Sequence, residues 1–231
     1  MKNSIPKPET QLNVLKRYLH VLALLQNSRD SAGWNATSLA DLLSLDETDN
    51  PLSDKTIRDY IHKNIVEEMG IDVTTGKGRR TTRIVKPLEK DIHCRLAGIY
   101  SYFIAVDDSK DIVLKDLIKK HPEDALWFMA RLYFAKVERK VVSFSYRPNT
   151  VGKRFAFSVH PYHMVFRNNN LYLAALNEYN GILSLFIVNK IDNLTVIDES
   201  FNEEIPAVSD IFADSLGSFI GKRYNVRIRF T

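Results

Sequence analysis

The sequence predicts an α+β fold, with helices in the first part of the chain and a small antiparallel β-barrel in the last part. Two changes of pattern along the chain predict this order. Up to about residue 137, apolar residues recur every three or four positions, as on the buried face of a helix. After Lys140 they fall into short alternating runs, as in strands. Because 231 residues exceed one small domain, we expect at least two cores.

Composition excludes several classes of protein. Hydrophobic residues make up 45% and charged residues 26% of the chain, values typical of a globular protein. The one cysteine, Cys94, excludes an internal disulfide and a Cys-rich metal site, so we expect an inert cysteine, no metal and no cofactor. No apolar stretch reaches the roughly 18 residues of a membrane span, and no signal-peptide core is present. We therefore expect a cytoplasmic protein without a membrane partner.

Three helices are predicted before residue 71. The first spans residues 8–26, with His20 outside its buried stripe of Leu12, Leu15, Leu19, Leu22 and Ala23. The second begins at a cap supplied by Asn35 or Thr37. The third begins at Ser53 and ends at Gly70, and its inner face consists of Ile57, Ile61 and Ile65.

A β-hairpin with a basic tip is predicted after the third helix. Residues 71–75 and 79–85 have the composition of strands, and the glycines at 76 and 78 fit the turn. Five cations and no acid lie within ten residues: Lys77, Arg79, Arg80, Arg83 and Lys86. Such a density is typical of phosphate contacts. The alternative is a turn whose charges only aid solubility.

The segment Ser53-Asp-Lys-Thr-Ile-Arg-Asp59 resembles the start of the recognition helix in winged helix-turn-helix regulators of the DeoR and WYL-associated type. Gly70-Ile71 followed by a wing is similar to their continuation. The resemblance covers residues 8–86 and implies a DNA-binding domain over residues 1–86, with the third helix in the major groove of a double-stranded operator and the wing on the backbone. The long turn at residues 45–52 departs from the family. The implied DNA-binding residues are Lys55, Thr56, Arg58, His62, Lys63, Lys77, Arg79, Arg80 and Arg83.

Residues 87–121 are predicted to form a helical linker. Helices are expected over residues 88–106 and 112–120, and a further helix from Pro122 to about residue 137 opens the next domain. The stretch at residues 98–106 is apolar nearly all round. This pattern indicates burial either against a second subunit, in a homodimer, or within the same chain.

The strands after residue 140 carry a second resemblance. They are expected over residues 141–146, 155–160, 162–166, 171–176, 182–188 and 194–197, and turns rich in Pro, Gly and Asn separate them. Three motifs follow one another as in the WYL domain: residues 160–165, Leu171-Tyr172-Leu173 and residues 186–191. The WYL domain is an Sm-like or SH3-like barrel of bacterial regulators often found beside phage-defence operons. Leu171 stands where that motif has Trp. The resemblance implies a ligand-sensing domain over residues 122–205, and residues 206–231 resemble the start of its C-terminal extension, truncated or reduced.

The second resemblance implies a nucleotide or oligonucleotide as the effector. Its candidate ligand-binding residues are Tyr146, His160, Arg167, Tyr172 and Lys190. An aromatic ring stacks on a base, and the cations hold phosphate oxygens. Ser184 and Lys190 stand where arginines are expected. The alternatives remain that Tyr172 is a core aromatic and that His160 only satisfies a strand end.

Together these features predict a ligand-responsive transcription regulator, most simply a repressor. The alternative is an accessory subunit of a defence system that binds single-stranded nucleic acid, which a preference for single strands over duplex would indicate. We expect no enzyme, since the sequence has no Gly-rich phosphate loop, no paired carboxylates in a plausible pocket and no His/Cys metal spacing.

Overall fold

The computed structural model describes residues 8–26, 33–46, 51–76, 81–107, 120, 125–148, 152–167, 170–213 and 229. They divide into two compact units, Met1–Ile104 with Val113–Glu138, and Ala105–Ile112 with Arg139–Thr231. The predicted α+β class is confirmed, with helices in the first unit and a sheet in the second. The wing tip at residues 77–80 lies outside the described residues, as do the helix at residues 112–120 and the C-terminal strand, apart from residues 120 and 229.

Five helices are described in the first unit: α1 Pro8–Leu25, α2 Ala36–Asp46, α3 Asp54–Asp59, α4 Lys90–Ile104 and α5 Ala125–Val137. The backbone continues from α3 as a π-helix over Tyr60–Glu68. The predicted cap at Ser53 is confirmed, because its hydroxyl accepts a hydrogen bond from the Thr56 amide at 3.2 Å. Of the two candidates for the α2 cap, Asn35 accepts from the Ser38 amide at 2.7 Å. Local side-chain chemistry therefore sets both helix starts.

The core of the first unit lies around the second half of α1. Leu19 and Leu22 are buried as predicted, whereas Leu12 is 54% exposed. The prediction that His20 lies outside the buried stripe is wrong, since only 2% of it is exposed. The reason is that α4 and α5 pack against α1, so apolar and aromatic side chains cover this helix on more than one side.

A buried cluster of polar side chains, the first-unit cluster, links these helices. It consists of Lys16, His20, Asp46, Tyr100 and Tyr133. The Asp46 carboxylate accepts hydrogen bonds from the Lys16 ammonium at 2.6 Å and the Tyr133 hydroxyl at 2.5 Å. His20 lies 3.0 Å from the Tyr100 hydroxyl through Nδ1 and stacks on the Tyr133 ring.

Burial determines the protonation of the first-unit cluster. It lowers the pKa of His20 to about 3, assisted by the nearby Lys16 charge and opposed by Asp46. Burial alone would raise the pKa of Asp46, but the hydrogen bonds from Lys16 and Tyr133 hold it below its ordinary value. The cluster therefore contains a neutral imidazole beside an ionised carboxylate at neutral pH.

The predicted hairpin forms from strands β1 Val73–Thr75 and β2 Thr82–Ile84. They are antiparallel, with Val73 opposite Ile84 and Thr75 opposite Thr82. Trp34 forms an isolated antiparallel bridge to Thr82 beside this two-stranded sheet. Gly70 ends the preceding helix with φ of 67°, a conformation that glycine adopts without strain.

The second unit is built on one sheet. Its strands are β3 Val106–Asp107, β4 Lys140–Tyr146, β5 Phe155–Arg167, β6 Asn170–Asn177, β7 Leu183–Ile187 and β8 Ile191–Ser200, and a single-turn helix, α6 Val208–Phe212, follows them. Five strands pair antiparallel in the order β7-β6-β5-β4-β8, and β3 pairs in parallel with the end of β5. From β4 to β7 consecutive strands are thus neighbours, whereas β3 lies beside β5 and β8 lies beside β4.

The prediction of a closed barrel is wrong for the residues that the structure describes. Closure would require β7 to pair with β8, but these two strands form opposite edges of the sheet. The 3-10 turn Val188–Lys190 joins them, so no hairpin forms there, and β8 pairs with β4 instead. Four aromatic rings, Phe144, Tyr146, Phe157 and Phe186, pack together in the core of this open sheet.

Candidate nucleic-acid interface and ligand face

The third helix presents most of its predicted DNA-binding side chains to solvent. Lys55, Arg58, His62 and Lys63 are exposed. Thr56 is half-buried, and its hydroxyl lies 2.9 Å from that of Ser53, within the cap. The inner face of Ile57, Ile61 and Ile65 is buried as predicted. Burial of this apolar face therefore fixes which side of the helix carries the cations.

Two of these cations form ion pairs along their own helix. Arg58 lies 3.6 Å from Asp54, and Lys63 lies 3.4 Å from Asp59. Pairs this exposed contribute little free energy, so either cation can turn to a phosphate at small cost. Of the predicted hairpin cations, Arg83 is exposed on β2, whereas Lys77, Arg79 and Arg80 lie outside the described residues.

In the second unit, a β-bulge in β5 determines which side chains share a face. The register between β5 and β6 shifts between Pro161 and His163. As a result His160, His163 and Arg167 lie opposite Leu176, Ala174 and Asn170, which are alternate residues of β6. Alternate residues of a strand point to the same side. The bulge therefore brings two histidines and an arginine onto one face, here called the polar row.

A segment that follows β8, residues 201–212, runs along the polar row and is here called the covering segment. The Phe201 ring stacks on His160 with centroids 4.9 Å apart, and Glu203 Oε1 lies 2.7 Å from His160 Nδ1, without the alignment of a hydrogen bond. His163 Nε2 lies 2.9 Å from the Pro206 carbonyl oxygen. Further along, the Arg167 guanidinium lies over the Phe212 ring at 4.5 Å.

Arg167 keeps unused hydrogen-bonding capacity beneath this cover. Its Nη1 atom is buried and has no hydrogen-bond partner in the described part of the chain. An aromatic face attracts a cation but accepts no strong hydrogen bond. A buried guanidinium nitrogen in this condition carries a desolvation cost that an anionic oxygen would remove.

The remaining three predicted ligand residues lie in three different places. Tyr172 is buried on the face of the polar row, opposite Val165 and Ile187. Tyr146 contacts Phe157 and Phe186 in the aromatic core, and its hydroxyl accepts a hydrogen bond from the Ile187 amide at 3.3 Å. Burial raises the pKa of Tyr146, and this hydrogen bond opposes the shift. Lys190 lies on the 3-10 turn. The structure therefore places His160, Arg167 and Tyr172 on one face, and Tyr146 in the core.

A surface groove of about 590 Å³ lies elsewhere on the sheet, and none of the predicted ligand residues lines it. Its lining includes Phe155, Phe157 and Tyr179, and the Tyr179 side chain is almost fully exposed. In the described part of the chain, no three His, Cys, Asp or Glu side chains could hold a metal ion together. None of the described helices is long and apolar enough to span a membrane.

Sequence patterns do not predict several residues of the polar row and of the covering segment. The sequence does not predict His163 on this face, since its side depends on a bulge that strand alternation does not reveal. Phe201, Glu203 and Phe212 follow the last strand and contact β5 about forty residues earlier in the chain. The sequence offers one signal for this face, which is that Arg167 on β5 has no acidic neighbour in the sequence.

The second unit is thus a small domain built on an open antiparallel sheet, with a row of polar side chains on one face. Residues 128–196 match the family profile of the WYL domain. The match begins within α5 and ends in β8. The chain therefore contains a WYL domain, as the order of its motifs predicts.

Among the solved structures that match, two show distant similarity to this chain. Proteasome accessory factor B/C (PafBC) of Arthrobacter aurescens is 16% identical over 88% of this chain and 34% of its own length, with a TM-score of 0.35. A CRISPR Cas-related protein is 12% identical over 89% of this chain and 58% of its own length, with a TM-score of 0.28. The chain thus spans about a third of the first protein and somewhat over half of the second. A search of curated proteins found no match.

Proposed function

We propose that the chain is a transcription regulator that binds a double-stranded operator through its first unit and a nucleotide or oligonucleotide through its WYL domain. It acts in the cytoplasm, without a catalytic step, most simply as a repressor. The observation that carries the proposal is the exposed cationic side of α3 and its π-helical continuation, in a chain that also contains a WYL domain.

The order of elements in the first unit supports a winged helix-turn-helix. Three helices precede a hairpin, Trp34 bridges to its second strand, and Arg83 is exposed there. In such domains the third helix enters the major groove and the hairpin contacts the backbone. Lys55, Arg58, His62 and Lys63 then face DNA, while the isoleucine face stays in the core.

A homodimer suits this function because two-fold operators bind two copies of a helix-turn-helix domain. We place the interface on α4. Ile92, Ile99 and Tyr102 are 44%, 44% and 64% exposed, at a spacing of seven and three residues that keeps them on one side of the helix. Such an exposed apolar stripe is typical of an interaction surface.

Operator binding can be tested with duplexes selected from a random library by the purified chain. The double variant Lys55→Ala, Lys63→Ala should lose preference for the selected duplex over a shuffled one. Its affinity should also depend less steeply on salt, with the log–log slope reduced by about two, because two phosphate contacts are lost. The matched control Lys90→Ala, Lys153→Ala removes the same charge from exposed positions outside α3 and should change neither quantity.

Equal loss of affinity in both double variants would mean that only net charge matters and would refute a recognition helix. Enrichment of no duplex, together with tight binding of single strands, would favour the alternative function, an accessory subunit of a defence system that binds single-stranded nucleic acid.

A further inference from the structure

The covering segment contacts the polar row in strict order along β5. Its contacts pair His160 with Phe201 and Glu203, His163 with the Pro206 carbonyl, and Arg167 with Phe212. Residue numbers therefore increase in the same direction along β5 and along the covering segment. One continuous stretch of chain therefore lies in an extended path over one continuous line of polar side chains.

The groups that the covering segment supplies are those that a nucleic-acid strand offers. Phe201 and Phe212 give flat aromatic rings against an imidazole and a guanidinium, as stacked bases do. Glu203 gives an anionic oxygen beside His160, as a phosphate does. The buried Nη1 of Arg167 stays without a hydrogen bond. A phosphate oxygen would supply that bond, so the row has capacity that its present cover does not use.

The length of the polar row selects among ligands. His160 and Arg167 are seven residues apart on a strand, a distance of about 20 Å. One nucleotide cannot reach both ends. A short single strand can, and sheet surfaces that bind single strands take about four or more nucleotides per domain.

We propose that the covering segment competes with the ligand for the polar row: it occupies His160, His163 and Arg167 until a single-stranded oligonucleotide displaces it. This regulation rests on the proposed function, which gives the WYL domain a nucleotide or oligonucleotide ligand.

The cover opens from its α6 end. Phe201 is buried and fixed at the other end, where its amide donates to the Arg139 carbonyl at 2.9 Å and the Arg139 guanidinium donates to the Glu203 carbonyl at 2.9 Å. The opposite end is the single helical turn Val208–Phe212, which is too short to be stable alone. Release of Phe212 therefore exposes Arg167 first, and displacement of Phe201 uncovers His160 last.

Binding of a fluorescein-labelled, mixed-sequence DNA strand of about 12 nucleotides to the full chain, followed by fluorescence anisotropy, tests the proposal. Phe212→Ala removes a competing ring worth about 1 kcal/mol and should tighten binding by about two- to fivefold. Arg167→Ala should weaken binding about tenfold, because it removes a charge-assisted contact. Tyr179→Ala removes an exposed ring from the separate groove and should have no effect.

The outcomes separate this inference from the proposed function. If wild type binds the strand, Arg167→Ala weakens binding and Phe212→Ala leaves it unchanged or weaker, the cover is not a competitor; the inference is overturned while the proposed function stands. If Tyr179→Ala alone loses binding, the strand lies in the groove and the polar row is not its site. If neither wild type nor Phe212→Ala binds single strands or nucleotides, the sensing part of the proposed function fails as well.

Hydrogen exchange of the wild-type chain decides the matter even if Phe212→Ala does not fold. Amides of residues 207–212 should exchange faster when the strand is added, since displacement removes their packing. Slower exchange would show that the segment closes over the ligand, and would overturn displacement. An excess of AMP should leave this exchange unchanged; an equal increase with AMP would refute the requirement for an oligonucleotide.

Discussion

The first-unit cluster and the polar row both place histidine against aromatic rings, but their partners differ in origin. His20 is surrounded by Tyr100, Tyr133 and Phe134, which project from helices of the same core. The partners of His160 belong to a segment that begins where the last strand ends. The first arrangement can be lost only by unpacking helices. The second can be lost by moving one segment, with the sheet intact.

This difference shows that burial alone does not identify a functional polar group. His20 is the more deeply buried histidine, with a strongly lowered pKa, and lowered pKa values are often taken to mark functional sites. Here the lowered pKa reflects packing in a core. Arg167 is the better candidate for function, since a single segment of chain covers it through the Phe212 ring, whereas helices of one core enclose His20.

Asp46→Asn should produce the largest change in stability. It removes the charge that pairs with Lys16 where only 15% of the Asp46 side chain and 20% of the Lys16 side chain are exposed. We expect the free energy of unfolding to fall by about 2 kcal/mol, less than for a fully buried pair. Urea denaturation followed by circular dichroism measures this change.

The matched control is Asp59→Asn, which breaks the exposed pair with Lys63 and should cost less than about 0.5 kcal/mol. Equal losses in the two variants would mean that the first-unit cluster is no more than a surface pair, and the comparison with the polar row would fail.

The pH dependence of stability should carry the signature of His20. In the unfolded chain this imidazole binds a proton at its ordinary pKa of 6.5, but in the folded chain only at about 3. The unfolded state therefore binds more protons between these values, so stability falls as the pH falls. The expected contribution is up to about 1.4 kcal/mol per pH unit below about pH 6.

His20→Gln should flatten this slope, measured by urea denaturation between about pH 6 and about pH 5. His62→Gln, on the exposed side of the third helix, should leave the slope as in wild type. If the slope persists in His20→Gln, another group carries the pH dependence.

Phe212→Leu should produce the smallest change. It removes the ring over Arg167 but keeps an apolar side chain, so we expect a loss of about 1 kcal/mol or less. Tyr179→Leu, at an almost fully exposed aromatic, serves as the control and should be neutral. A loss for Phe212→Leu as large as that for Asp46→Asn would show that the covering segment is as integral to its unit as the first-unit cluster is.

The features that sequence predicted correctly are those set by neighbouring residues. Ser53 caps its helix through an amide three residues away, and Gly70 ends it by its own conformational freedom. The hairpin formed because its strands are close in sequence. The WYL domain predicted from the order of its motifs is likewise confirmed by the match to the family profile.

The errors arose where distant parts of the chain meet. Periodicity placed His20 outside one stripe, but α1 packs against several helices at once. Six strand-like runs suggested a barrel, yet closure depends on whether the first and last strands of the set can pair, which no local pattern states. The resemblance to the WYL domain assigns Tyr146 and Arg167 to one site, but strand register puts them on opposite faces of the sheet.

The bulge in β5 also changes which positions of this strand tolerate substitution, because even- and odd-numbered residues exchange faces there. Before it, the face of the polar row carries even-numbered positions such as Ser158 and His160, and after it odd-numbered positions such as His163 and Val165. In a scan of substitutions, the positions that belong to the face of the polar row would therefore change from even-numbered to odd-numbered between Pro161 and His163. Deleting Tyr162 would remove the extra residue and leave His160, His163 and Arg167 on one face by simple alternation, whereas deleting a residue between His163 and Arg167 would turn Arg167 to the opposite side of the sheet.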